Sequence, residues 1–303
     1  MSEAVALSSV EIVINRMQAL YGRWNRHTTL EQMRRDFDEA FQPSVSAGKF
    51  DPVTAGGVLG AWITPDAARI DKVVLYLHGG GFRLGSIRSH RSLIARIAAA
   101  CGCRVLAIDY RLAPEHRFPA ALEDAQAAFL WLREQGFAAS DIAIAGDSAG
   151  GGLALGCMLA LRDQDLGVPC AAALLSPWTD LTASGASYTS RAARDPVHTR
   201  AMILALASNY LGDGVDPRHP LASPLFADLR GLPPLLIQAG DRETVLDDAR
   251  ALADKATAAG LDTRLEVYDE MIHVFQMYAS DIIEAGQAIT SIGDFLRLHL
   301  NIK

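Results

Sequence analysis

Apolar runs of strand length, separated by segments of helix length, constrain this chain more than any other feature. KVVLYLH (72–78), RVLAIDY (104–110), IAIAG (142–146), AAALLS (171–176), PLLIQAG (234–240) and TRLEVY (263–268) follow one another at such intervals. Most are near-continuous in hydrophobicity, so they need cover on both faces. The spacing predicts helices over 92–100, 120–135 (closed by Gly136), 149–162, 246–259 and 281–300, and an earlier strand in VLGAWITP (58–65). The class is α/β, with a mostly parallel central sheet flanked by helices. Right-handed crossovers then bring the strand C-termini to one edge, where sites in open α/β sheets lie.

Two regions break the alternation. Val10, Ile14, Met17, Tyr21 and Trp24 recur at helical spacing. Thr28 and Glu31 have capping-box spacing ahead of a second stripe, Leu30, Met33, Phe37 and Phe41, with Pro43 and Gly48 ending the unit. Two short helices cannot bury both stripes alone, so they are expected to pack over something else, as an appendage or as a lid. The stretch 179–223 is Ser/Thr-rich, carries a helix around 200–210 and ends in GDGVDPRHP (212–220). It reads as an insertion and the second half of a lid.

Among the 303 residues, 28 are basic and 35 acidic, a net charge of −7, which argues against nucleic acid as a partner. No run approaches the ~20 apolar residues of a membrane span. The N-terminus has no secretory pattern, so the expected location is cytoplasmic. Cys101, Cys103, Cys157 and Cys170 form no CxxC pair, have no histidine at metal-ligand spacing and predict no metal; Cys157 and Cys170 read as core residues.

Gly146-Asp147-Ser148-Ala149-Gly150 joins the strand IAIAG to a Gly/Ala/Leu-rich helix. GxSxG in that context is a nucleophile elbow: only small flanking residues allow so sharp a turn, and it lifts the serine Oγ above the sheet. The rival reading is a phosphate-binding turn, but the spacing is not GxGxxG and no P-loop lysine follows. His78-Gly79-Gly80-Gly81 ends another strand. Consecutive glycines let backbone N–H groups approach a tetrahedral oxyanion, so Gly79, Gly80, Gly81 and Ala149 are the candidate oxyanion hole. His78 reads as structural. Downstream of Ser148, only His273 among His198, His219, His273 and His299 lies in a loop after a strand, which makes it the candidate base. The carboxylate that should orient it is Asp241 or Glu243, and the residues alone do not separate them. Asp247 and Asp248 fall within the next helix, where they face solvent or brace its first turns.

HGGGF (78–82), DYRLAPEHRFPAALED (109–124), GDSAGG (146–151) and the Glu243 and His273 regions together resemble the hormone-sensitive-lipase family of bacterial esterases. The likeness runs from Leu75 to Phe275, and the helical N-terminus matches that family's cap. Matching Val245-Leu246-Asp247-Asp248 to the family's helix start puts Glu243 at the acid position. The family usually has Asp-Pro-Leu where this chain has Glu243-Thr244-Val245. Within DYRLAPE, Pro114 rigidifies a turn, and Arg111 and Glu115 are expected to pair and hold the loop.

The resemblance implies an α/β-hydrolase fold, with 1–48 as a helical cap segment and 49–303 as a catalytic domain carrying a cap insertion near 180–222. The activity expected is that of a serine carboxylesterase acting on short-chain acyl esters through an acyl-enzyme, without metal or organic cofactor. A small cap-covered pocket would be walled by Trp24, Phe82, Leu84, Met202, Ile203 and Phe275. A lactone or small-amide hydrolase would use the same machinery. A non-catalytic ligand receptor on this fold would lack the histidine that this chain has at 273. The resemblance also implies a homodimer through an edge strand.

Overall fold

The computed structural model describes residues 7–41 and 49–303; Pro43 and Gly48, expected to end the N-terminal unit, lie outside the described residues. After helices α1 (Ser9–Gly22) and α2 (Leu30–Ala40), an eight-stranded sheet takes shape from β1 (Lys49–Ala55), β2 (Val58–Thr64), β3 (Arg69–Leu77), β4 (Cys103–Ile108), β5 (Ile142–Asp147), β6 (Ala172–Leu175), β7 (Leu235–Gly240) and β8 (Thr263–Tyr268). Its order is β1-β2-β4-β3-β5-β6-β7-β8. β1 and β2 form an antiparallel hairpin, β2 runs antiparallel to β4, and every later pairing is parallel.

β1 is a strand that the hydrophobic pattern does not announce. Its residues are exposed or half-exposed up to Ala55 and include Pro52, which an edge strand tolerates because one row of its N–H groups needs no ladder partner. Gly56 and Gly57, both at positive φ, make the two-residue turn into β2.

The remaining helices are α3 (Ile87–Cys101), α4 (Ala120–Glu134), α5 (Ala149–Asp163), α6 (Ser187–Ser190), α7 (Arg200–Leu211), α8 (Leu246–Ala258) and α9 (Ile283–His299). Successive strand residues feed opposite cores, as the period of two requires. Val73, Leu75 and Leu77 join a cluster with residues of α4, α5 and α8, whereas Val74 and Tyr76 join one with α3 and α9. Ile94, Ile97 and Ile292 are fully buried in the second layer; each such side chain contributes about 1.5–3 kcal/mol. α3 starts earlier than the apolar pattern indicates, because Ser86 caps it by accepting from Arg88 N and Ser89 N. All four cysteines are free; Cys157 is buried as expected, but Cys170 is only half-buried.

Local polar contacts correct several sequence expectations. Thr29, not Thr28, caps α2 by accepting from Gln32 N at 3.2 Å, while Thr28 Oγ1 accepts from Asn25 N. Arg111 does not pair with Glu115. It reaches Asp124 and Glu123 on α4, and Glu115 instead holds Arg34 of α2 through two 2.8 Å bonds. Asp248 is buried and accepts from Thr179 N and Asp180 N at 2.9 Å and from Tyr188 Oη at 3.0 Å, all outside its own helix. Asp248→Ala would strand two buried amides, so it is expected to cost about 3 kcal/mol, read from the denaturation midpoint.

Parallel register brings the strand ends to one level, with Leu77 beside Gly146 and Asp147 beside Leu175. The loops that follow β3, β5, β6, β7 and β8 therefore emerge along a single edge.

Candidate active site

Ser148 sits between β5 and α5 at φ 52°, ψ −118°, a conformation that non-glycine residues rarely adopt. Its neighbours over-determine it. Ser148 N donates to Leu175 O at 2.8 Å, and its carbonyl accepts from Gly151, Gly152 and Trp178 N at 3.0–3.2 Å. A Cβ on Gly150 would lie 2.1 Å from Leu77 O, so only glycine lets α5 start this close to β3. Phe82, Ser176 and Val274, all around the same edge, also have positive φ. Strain is concentrated where the loops converge.

Ser148 Oγ lies 2.8 Å from His273 Nε2, and His273 Nδ1 lies 2.5 Å from Glu243 Oε2. Glu243 is fully buried, and its other oxygen accepts from Gly240 N at 2.5 Å and Ser176 Oγ at 3.1 Å. Ser176 Oγ in turn accepts from Val274 N at 3.0 Å, tying the carboxylate to the residue after His273. A Cβ on Gly240 would meet Met271 O at 2.3 Å, so the glycine ending β7 lets the histidine loop pass close by. Burial alone would lower the His273 pKa, but the Glu243 carboxylate overrides it and holds the imidazole above its ordinary range. Asp241, the other candidate acid, points elsewhere: its two oxygens take Arg191 Nη2 at 2.7 Å and Arg194 Nη1 at 2.8 Å.

The glycine loop divides into two parts. Gly79 N donates to Asp147 Oδ1 at 3.0 Å, so this amide is not open to a substrate oxygen, contrary to expectation. Among the described residues, nothing accepts from the N–H groups of Gly80, Gly81 or Ala149. Those three remain as the candidate oxyanion donors. Asp147 acts as the strut beneath them. Besides Gly79, it binds Tyr76 Oη at 2.6 Å and His90 Nε2 at 3.3 Å. His78 is buried, stacked on Tyr110 with ring centroids 4.3 Å apart, and bonded to Gly79 O. Burial and nearby His90 lower its pKa to about 3, so it stays uncharged.

Comparison with known proteins gives the family. The family profile described as the alpha/beta hydrolase fold matches residues 74–277. An acetyl-hydrolase of Streptomyces hygroscopicus is 45% identical over 274 residues, 90% of this chain and 91% of the relative. An esterase of Acinetobacter venetianus is 36% identical, covering 88% of this chain and 86% of its own. A crystal structure of an esterase from the bacterial hormone-sensitive lipase family superposes with a TM-score of 0.93 at 45% identity, covering 98% of this chain and all of that one. The chain belongs to the hormone-sensitive-lipase family of α/β hydrolases. That membership makes it a carboxylic ester hydrolase.

In this family member a cleft, partly open to solvent, rises above Ser148 and His273. α1, α2 and α7 supply much of its wall, and Trp24, Leu84, Met202 and Ile203 line it as the sequence suggests. Phe82 and Phe275 do not. Phe82 is buried face to face with Tyr210, centroids 3.6 Å apart, and Phe275 packs beneath the histidine loop against Tyr268. Both aromatics are core.

Sequence reasoning misses Asp147 and Asp195. Asp195 is buried, accepts from Thr244 N at 2.8 Å and Thr244 Oγ1 at 3.0 Å beside Glu243, and pairs with His198. Burial would raise its pKa, yet His198 and these bonds hold it well below the usual carboxylate range. The His198 ring packs edge-on against His273, centroids 4.6 Å apart. Asp147 stands within the elbow motif, but its partners Tyr76, Gly79 and His90 are far away in sequence, as is Thr244, the partner that ties Asp195 to the site. Among the described residues no helix is long and apolar enough to cross a membrane.

Proposed function

We propose that the protein is a serine carboxylesterase that cleaves short-chain acyl esters in two steps. His273 Nε2 takes the Ser148 proton as Oγ attacks the acyl carbonyl. The amides of Gly80, Gly81 and Ala149 hold the oxyanion, and His273 then protonates the departing alcohol. Glu243 keeps the His273 proton on Nδ1 and stabilises the imidazolium. Water repeats the sequence on the acyl-enzyme. The described part of the N-terminal segment, 7–41, and residues 180–222 form the cap over the cleft, and the active species is a homodimer joined at β8, an edge strand of the sheet.

The observation that supports this reading is the unbroken chain from Ser148 Oγ through both His273 nitrogens to the buried Glu243, at 2.8 and 2.5 Å. The apolar part of the cleft wall, including Met17, Tyr21, Trp24, Ile203 and Leu206, favours aliphatic carbons in the acyl or alcohol group. A panel of p-nitrophenyl esters of graded length tests it. kcat/KM should peak at roughly two to eight acyl carbons and fall at longer chains, because the apolar wall covers only a short acyl group. A flat or rising profile at long chains would remove the short-chain assignment.

A further inference from the structure

We propose that Arg83 is a specificity determinant that admits esters bearing a carboxylate, on either the acyl or the alcohol portion, into this otherwise apolar cleft. The inference rests on the esterase reading of the same site.

Every acid lining the cleft is already committed. Asp147 is held by Tyr76, Gly79 and His90, and Asp195 by Thr244 and His198. Arg83 lines the cleft too, and is half-buried. Among the described residues its guanidinium has no hydrogen-bond, ion-pair or ring partner. Other arginines around the site are satisfied: Arg191 and Arg194 on Asp241, Arg242 on Glu11 and Glu270, and Arg34 on Glu115. A partly desolvated guanidinium without an acceptor is unfavourable, and an incoming anion relieves that penalty.

The backbone beneath this free side chain is fixed from both sides. Arg83 N donates to Gly80 O at 3.1 Å, and Arg83 O accepts from Arg34 Nε at 3.0 Å. Arg34 is itself anchored by both Glu115 oxygens and by Ala113 O. The guanidinium therefore springs from a rigid point two residues beyond Gly81. Such anchoring reduces the ordering cost of gripping a ligand. Guanidinium matches a carboxylate with two parallel hydrogen bonds, whereas a neutral ester offers it little. Substrates that fit are half-esters of short dicarboxylic acids and O-acyl hydroxy acids.

Two substrate pairs separate the sides. Monoethyl and diethyl adipate differ by a charge on the acyl portion; γ-acetoxybutyrate and its methyl ester differ on the alcohol portion. In at least one pair, Arg83→Gln should lower the anion-to-neutral ratio of kcat/KM by about tenfold or more, the worth of a charge-assisted contact, with Arg83→Lys intermediate. Ratios equal to wild type in both pairs would overturn the proposal. Calorimetry in a Ser148→Ala background reads the same site without turnover. Monoethyl adipate should bind Ser148→Ala about tenfold more tightly than Ser148→Ala/Arg83→Gln, and equal affinity would also overturn it. If wild type cleaves none of the four esters while that affinity difference holds, the hydrolase reading fails and the anion site stands.

Discussion

Ser148→Ala is expected to lower kcat on p-nitrophenyl butyrate by about a million-fold. The reasoning starts from the elbow. Ser148 Oγ is the oxygen that faces His273 Nε2, at 2.8 Å, and among the described residues no other hydroxyl makes that contact. Removing it leaves the candidate oxyanion amides intact, so a residual rate about 10³–10⁴ above that in water should survive, carried by water attack on a bound, polarised ester. The fold should barely respond. Ala tolerates φ 52° no better and no worse than Ser, and the backbone bonds to Leu175, Gly151, Gly152 and Trp178 remain. An unchanged denaturation midpoint beside lost turnover distinguishes chemistry from misfolding. Wild-type turnover by the variant would remove Ser148 from the mechanism.

What the residues disclose by themselves follows from where the physics is local. The strands from β3 to β7 are buried on both faces, so hydrophobicity alone marks them, and the Gly146–Gly150 elbow is legible because its geometry demands small residues in sequence. β1 is illegible to the same test: it is half-exposed and contains Pro52, and only the Gly56-Gly57 pair between it and β2 hints at a hairpin. Both threonines before α2 can accept a hydrogen bond; Thr28 spends its hydroxyl on Asn25 N, leaving the cap to Thr29. Pairings between distant residues are the harder loss. Arg111 and Glu115 are neighbours of opposite charge, yet the partner of Glu115 is Arg34 on α2 and that of Arg111 is α4. Phe82 and Phe275 follow catalytic motifs directly, which suggests a pocket wall, but the positive φ at Phe82 accompanies a ring stacked on Tyr210 in the core. Gly79 looks interchangeable with its two neighbours until Asp147 is seen to take its N–H.

Glu243→Gln should cost about 10⁴ in kcat, and Asp241→Asn less than about tenfold. The sequence leaves these two acids in competition, and the hydrogen-bond geometry separates them. Glu243 gives one oxygen to His273 Nδ1 and the other to Gly240 N and Ser176 Oγ. A glutamine can keep the second set of contacts through its carbonyl, but then turns an N–H₂ toward Nδ1. Two donors cannot share that contact, so the imidazole proton moves to Nε2, where it faces Ser148 and can no longer receive the serine proton. The pH profile should move as well. His273 must be neutral to act as base, so kcat/KM rises with pH through its pKa, which Glu243 holds above the ordinary range. With the carboxylate gone, burial is the remaining large influence and lowers that pKa, and the acid limb of the residual activity should shift to lower pH. Asp241→Asn removes a charge that serves Arg191 and Arg194, away from the imidazole, so its limb should stay in place. If instead the asparagine variant carried the large loss and the shifted limb, the orienting carboxylate would be Asp241, and the serine-to-glutamate relay drawn from the hydrogen bonds would not describe the working enzyme.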